Sequence, residues 1–125
     1  MPQKILVAED DPLSQFMMQE VLDLLGYECD IAENGKRCLE LISMNPDRYL
    51  AVLMDIHMPQ MTGIDASKEI RNQGEHPPKN SPIYAVTADE YYHDDKKMKG
   101  LGFNGVLPKP VNIDNLQSVL DRLAA

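Results

Sequence analysis

Long apolar runs, cysteine and positive charge are all scarce in this chain, and each shortage excludes something. No apolar run approaches the roughly 20 residues that a membrane span needs. The opening MPQKILVAEDD lacks the layout of a signal peptide. The 2 cysteines, Cys29 and Cys38, form no C-x-x-C pair and have no metal-like spacing, so reduced thiols in a cytoplasmic protein are expected. Lys and Arg number 12 against 20 Asp and Glu, a net charge of -8. Such a surface repels nucleic-acid phosphates and anionic membranes, so neither is an expected partner. Repeats, low-complexity segments and a linker to a second domain are also missing. What remains is 125 residues, 43% hydrophobic and 26% charged. That suits a single domain over residues 1–125 with one hydrophobic core. Nothing follows the last helical pattern, so no output domain is expected within this sequence.

Short apolar runs alternate with longer periodic ones. KILVAED (4–10) predicts a strand ending on acids. DPLSQFMMQEVLDLLG follows as a helix, with Asp11 as N-cap, Pro12 in the first helical position and Gly26 as the stop. YECDIA (27–32) alternates like an edge strand with one wet face, NGKRCLELISM (34–44) is a second helix, and YLAVLMD (49–55) is a continuous buried strand. A third helix is expected over 64–72. The polar segment NQGEHPPKNSP then leads to IYAVTA (83–88), a fourth helix lies within EYYHDDKKMKGLG, a short strand is GVLPK (105–109), and a last helix lies within NIDNLQSVLDRLAA. Strict alternation of this kind means a parallel sheet with helices on both faces. In such sheets the site lies beyond the carboxyl ends of the strands.

Those ends carry Glu9 and Asp10, then Asp55, Thr87 and Lys109. Singly, each has an ordinary structural explanation: an acid caps the next helix, a Thr belongs to its strand, a Lys before proline sits in a solvated loop. Together they put three carboxylates, a hydroxyl and an ammonium on one edge. Crowded carboxylates repel, so one pKa rises or a cation is needed. Hard oxygen ligands with room for water suit Mg²⁺. With the acids neutralised, Asp55 is placed to attack phosphorus, and Thr87 and Lys109 to hold the phosphoryl oxygens.

The motifs ILVAEDD, MDIHMPQMTG, AVTA and LPKP, in this order and spacing, resemble the receiver domain of two-component response regulators over nearly the whole chain. The resemblance implies an α/β, flavodoxin-like fold: a doubly wound five-stranded parallel sheet of order 2-1-3-4-5 with five helices. It implies that Asp55 takes a phosphoryl group from a histidine kinase or a histidine phosphotransfer domain in a phosphorelay. Mg²⁺ would be held by Asp10 directly, by Glu9 through water, by Asp55 and by the backbone carbonyl of His57. Thr87 is the switch hydroxyl by this resemblance, Lys109 the phosphoryl-binding ammonium, and Lys109–Pro110 a cis peptide. A phosphoacceptor of this kind catalyses only its own phosphorylation and dephosphorylation. One departure stands out: the family usually has a Tyr or Phe ring three residues before the lysine, where this chain has Val106. The rival readings are a degenerate receiver that only binds proteins, a flavin-binding flavodoxin and a hydrolase with an aspartyl nucleophile. The acidic AEDDP loop disfavours a flavin phosphate, and no D-x-D occurs at the third strand as such a hydrolase would require.

Three further expectations concern the surroundings. His57 and Asp89, each two residues beyond a site residue, should flank the path of an attacking water and set the phosphoryl lifetime. Tyr91 and Tyr92, at the start of the fourth helix, are candidates to replace the missing ring. Leu13, Phe16 and Met17 on the first helix lie outside its inward stripe, beside the pocket. They are expected to form an apolar docking surface for the helical bundle that carries the donor histidine.

Overall fold

The computed structural model describes residues 3–45, 47–72 and 81–124. Strands β1 (Lys4–Ala8), β2 (Cys29–Ala32), β3 (Tyr49–Asp55), β4 (Ile83–Thr87) and β5 (Gly105–Pro108) alternate with helices α1 (Pro12–Leu24), α2 (Gly35–Met44), α3 (Gly63–Arg71), α4 (Asp95–Gly100) and α5 (Ile113–Ala124). All pairings are parallel and the strand order is 2-1-3-4-5, as expected. Most of the linker expected before β4 (73–80) lies outside the described residues.

Side chains alternate across the sheet, and this sorts the core into two clusters. Ile5, Val7, Ala51, Leu53, Tyr84, Val86 and Leu107 pack with Met18 and Leu22 of α1 and with Leu116 and Leu120 of α5. Leu6, Ala8, Val52, Met54, Ile83 and Ala85 pack with α2, α3 and α4 on the other face. Burial on both faces explains why β3 and β4 read as unbroken apolar runs.

Several boundaries differ from expectation, each for a local reason. β1 stops at Ala8, so Glu9 and Asp10 belong to the following loop. β2 begins at Cys29 and not at 27, because the Tyr27 amide is committed to ending α1. Gly26 has φ +85°, its N–H donates to Asp23 O (3.0 Å), and the Tyr27 N–H donates to Leu22 O (2.9 Å). That is the paired closure of a helix C-terminus by a left-handed residue. The fourth helix is divided. Asp89 accepts the Tyr91 N–H, and Asp94 accepts those of Lys96 and Lys97. Two successive N-caps give a 3₁₀ turn over Glu90–Tyr92 followed by a short α4. Tyr91 and Tyr92 therefore sit on the turn ahead of α4, not at its start. Arg71, at the end of α3, donates to Ser81 O (2.7 Å), Gly102 O (2.9 Å) and Asn104 Oδ1 (2.9 Å), tying α3 to the approaches of β4 and β5.

Candidate functional site at the carboxyl edge of the sheet

Continuing the alternation past the strand ends fixes which side chains meet. Glu9, Asp55 and Lys109 fall in phase with Val7, Leu53 and Leu107, the face covered by α1 and α5. Thr87 falls in phase with Ile83 and Ala85, toward the opposite cluster. The β3–α3 connection is drawn tightly against the site. The Gly63 N–H donates to Ile56 O at 2.9 Å, and a Cβ at Gly63 would run into the Asp55 carbonyl. Only glycine fits there, which gives a physical reason for the TG that ends the third-strand motif.

Carboxylate oxygens of Glu9, Asp10 and Asp55 lie within 4.8 Å of one another. Lys109 Nζ donates to Glu9 Oε1 at 2.8 Å and reaches Asp55 Oδ2 at 3.5 Å. Asp55 Oδ1 accepts the His57 N–H at 3.2 Å. The Glu9 carbonyl accepts from Gln15 Nε2 at 2.7 Å, which holds the acidic loop against α1. A small pocket of about 30 Å³ opens here, lined by Glu9, Asp55, Lys109, Val7, Val86 and Met18.

One ammonium thus reaches two of the three clustered carboxylates. Burial and the adjoining Asp55 carboxyl push the Glu9 pKa above its ordinary value, more than Lys109 pulls it down. For Lys109, burial works against the ammonium, but Glu9 and Asp55 outweigh it and its pKa is raised. Glu9 Oε2 is buried without a hydrogen-bond partner. An orphaned carboxylate oxygen beside two more acids is a donor set that a hard divalent cation fits.

Thr87 is 1% exposed, and its hydroxyl accepts the Asp89 N–H at 3.0 Å. Its carbonyl accepts the Lys109 N–H at 2.9 Å and meets His93 Nε2 at 2.8 Å. His57 Nε2 lies 3.1 Å from Asp89 Oδ2, so the two residues expected to flank the pocket separately are joined to each other. The Tyr91 N–H, followed by the His57 side chain, holds the Asp89 carboxyl below its ordinary pKa. Lys109–Pro110 is cis.

A family model for the response regulator receiver domain matches residues 5–121. The chain belongs to this family. Over 125 residues the receiver is 32% identical to the sensor protein EvgS of Escherichia coli K12, covering 98% of this chain and 10% of that protein. Over 127 residues it is 35% identical to hybrid signal transduction histidine kinase I of Dictyostelium discoideum, covering 96% of this chain and 7% of that one. It therefore spans a tenth or less of the length of these two relatives. Among solved structures, the receiver domain of sensor histidine kinase PA1611 from Pseudomonas aeruginosa PAO1 superposes with a TM-score of 0.83 at 32% identity, covering 100% of both chains. That structure is described with a magnesium ion coordinated in its active site cleft.

This chain is a receiver domain of the kind found in response regulators and hybrid kinases, and its acidic cluster of Glu9, Asp10 and Asp55 fits the phosphoacceptor site. Asp11 lies outside the cluster and caps α1, accepting the Ser14 N–H at 2.9 Å. Leu13, Phe16 and Met17 are 66%, 58% and 54% exposed. Beside them a groove of about 410 Å³ runs past Met17, Met18, Val21, Ala88, Pro110 and Val111. Val106 is half-buried, and it and Tyr92 each pack against the core cluster on the α2–α4 face. Sequence reasoning missed Gln15 and His93 altogether. Gln15 could have been found by its position one helical turn after the Asp11 cap. His93 had no such signal, because only the split of the fourth helix turns it back toward Thr87.

Proposed function

We propose that Asp55 is the phosphoacceptor and that a phosphohistidine is the donor. The observation that carries this is the Lys109 ammonium spanning Glu9 and Asp55 beside the orphaned Glu9 oxygen. An Asp55 carboxylate oxygen forms the new O–P bond as the N–P bond breaks, and the electron pair returns to the imidazole, which takes up a proton. Asp10, Asp55 and the His57 carbonyl, with Glu9 through water, would hold Mg²⁺, which would supply positive charge for the phosphoryl oxygens. Lys109 exchanges its carboxylate partners for one phosphoryl oxygen, and the Thr87 hydroxyl turns to donate to another. His57 and Asp89 stand over the path of the water that later hydrolyses the acyl phosphate. The chain acts only on itself in both steps.

The partner is a histidine kinase or phosphotransfer bundle that docks on Leu13, Phe16 and Met17 and in the adjoining groove. The apolar patch borders the pocket, which is what a donor helix delivering a histidine requires. The unpaired Cys29 and Cys38 support a cytoplasmic location.

One pair of assays tests the reading. Acetyl phosphate with Mg²⁺ should add a single phosphoryl group to the wild-type chain, and Asp55→Asn should abolish it. Glu substitutions at Leu13, Phe16 and Met17 should slow transfer from a phosphorylated protein donor at least tenfold, about 1.4 kcal/mol, while leaving acetyl phosphate labelling nearly unchanged. Labelling of Asp55→Asn at the wild-type rate would refute the acceptor assignment. Equal loss of both activities in the α1 variants would refute the docking surface.

A further inference from the structure

Of the three carboxylates gathered at the sheet edge, Asp10 is the one that nothing holds directly. Lys109 reaches Glu9 and Asp55, and Asp55 also accepts the His57 N–H. Asp10 is exposed, and no hydrogen bond to its backbone or side chain is found among the described residues. Yet one of its oxygens stands within 4.8 Å of two like charges. Repulsion drives that carboxylate outward, and beyond Ala8 the chain no longer has strand pairing to resist it. Something else must keep Asp10 at the site.

Gln15 is placed to do so. Its side-chain Nε2 donates to Glu9 O at 2.7 Å, and its backbone N–H donates to Asp11 O at 2.9 Å. The residues on both sides of Asp10 are thus tied to one residue of α1. A carbonyl only accepts, so the group facing Glu9 O is the NH₂ of the carboxamide. Fixing that carbonyl fixes the plane of the Glu9–Asp10 peptide. The Glu9 N–H is already given to Ala32 O at 3.0 Å, so the chain enters Asp10 along one path. The carboxamide is uncharged, and it orders the loop without bringing a cation to compete with a metal.

We infer that Gln15 is a positioning residue of the cation site, tying down the loop that presents the Asp10 carboxylate. The inference rests on the reading of Glu9, Asp10 and Asp55 as the place where Mg²⁺ is held. Gln15 acts through the loop and not on the metal or the phosphoryl group. Removing an outer partner of this kind typically costs about 10–100-fold in metal affinity. The physical reason is preorganisation: with Gln15 in place, the loop is ordered before the cation arrives. Without it, binding must also order the loop against carboxylate repulsion, and affinity falls. Once the cation is bound, its own charge draws Asp10 in. The chemistry at saturating Mg²⁺ is therefore kept.

The test uses Gln15→Met, which keeps side-chain length and helix propensity but donates nothing. Gln19→Met makes the same change at an exposed position one turn further along α1. Mg²⁺ binding is read from amide signals of the isotope-labelled chain without a phosphodonor, and acetyl phosphate labelling is followed across Mg²⁺ concentrations. Gln15→Met should weaken Mg²⁺ binding at least tenfold and raise the half-saturating Mg²⁺ for labelling by the same factor. The rate at saturating Mg²⁺ should stay within about twofold of wild type, and the urea midpoint in EDTA close to it. Gln15→Asn keeps the carboxamide but is one methylene short of the Glu9 carbonyl, and should behave like Gln15→Met. Gln19→Met should match wild type. Mg²⁺ binding within about twofold of wild type in both Gln15 variants would overturn the inference alone. So would an equal loss in Gln19→Met, or a rate at saturating Mg²⁺ that falls by the full factor. Affinity lost only together with a collapsed urea midpoint in both variants would make Gln15 structural and also overturn it. A wild-type chain that binds no Mg²⁺ would overturn the reading of the acidic cluster, and the inference with it.

Discussion

Among the described residues, two clusters of charge lie on the sheet, near opposite ends, and they are built in opposite ways. Toward the amino end, Asp30 of β2 accepts the Tyr49 hydroxyl at 2.6 Å, with Lys4 Nζ at 3.4 Å and Arg48 at 3.7 Å. One carboxylate is shared among a hydroxyl and two cations. Burial alone would raise the Asp30 pKa, but the Tyr49 hydroxyl and then Lys4 and Arg48 overrule it, and the pKa falls. Tyr49 is in turn pushed up to about 12, by burial first and then by Asp30. At the carboxyl end, three carboxylates cluster around a single ammonium that reaches two of them, Glu9 Oε2 has no partner, and the Glu9 pKa rises. The first cluster is satisfied and secures β1, β2 and β3. The second is left with excess negative charge, which a proton on Glu9 or a further cation relieves. Perturbation of this second kind, with an unmet charge demand in a cleft, marks a functional site. Perturbation of the first kind marks a structural one.

The contrast can be broken by exchanging what each acid does. Glu9→Gln should reduce Mg²⁺-dependent labelling by acetyl phosphate at least tenfold, about 1.4 kcal/mol in barrier. It should leave the metal-free chain no less stable at neutral pH, since it removes a buried acid from a surplus of acids. A melting temperature well below wild type would mean that Glu9 is as structural as Asp30. Asp30→Ala should do the reverse. Loss of the acceptor for a buried tyrosine hydroxyl costs about 1–3 kcal/mol, visible in urea denaturation, with labelling kept.

The two acids also differ in sign along the pH axis. Asp30 has a lowered folded pKa, so its contribution is present above 3.8 and is lost as pH falls through the folded value. Glu9 has a raised folded pKa, so its contribution is present below 4.5 and is lost as pH rises through the folded value. Acid denaturation should accordingly flatten in Asp30→Ala and steepen in Glu9→Gln. The smallest expected effect lies at the pocket mouth. Breaking the His57–Asp89 contact by alanine at either position should change the dephosphorylation rate more than about twofold, roughly 0.4 kcal/mol. Rates within that limit for both variants would leave the pair without a role in hydrolysis.

Much of this is legible in the sequence alone. Five alternating units predicted the parallel sheet, and strand ends predicted that Glu9, Asp10, Asp55 and Lys109 would gather at one edge, because polar residues at the end of a buried run need a reason. The apolar surplus of α1 predicted exposure at Leu13, Phe16 and Met17, and these residues are exposed. The divided fourth helix was harder to see. Asp89 and Asp94 are both visible as possible caps, but which one begins a helix depends on where the chain must return to reach β5. The Asp30 cluster was invisible, since its members come from three strands and meet only when those strands pair in register.

Local chemistry, then, determined the elements, their caps and the types of residue at the strand ends, because each depends on a few neighbouring positions. Tertiary structure alone decided which charges are met and which are left wanting. Glu9 and Lys109 are 100 residues apart in sequence and 2.8 Å apart in space. His57 meets Asp89 across 32 residues at 3.1 Å. Whether a carboxylate is satisfied depends on burial and on partners from other strands. Both arise only when the sheet closes its order and brings distant strand ends to one edge.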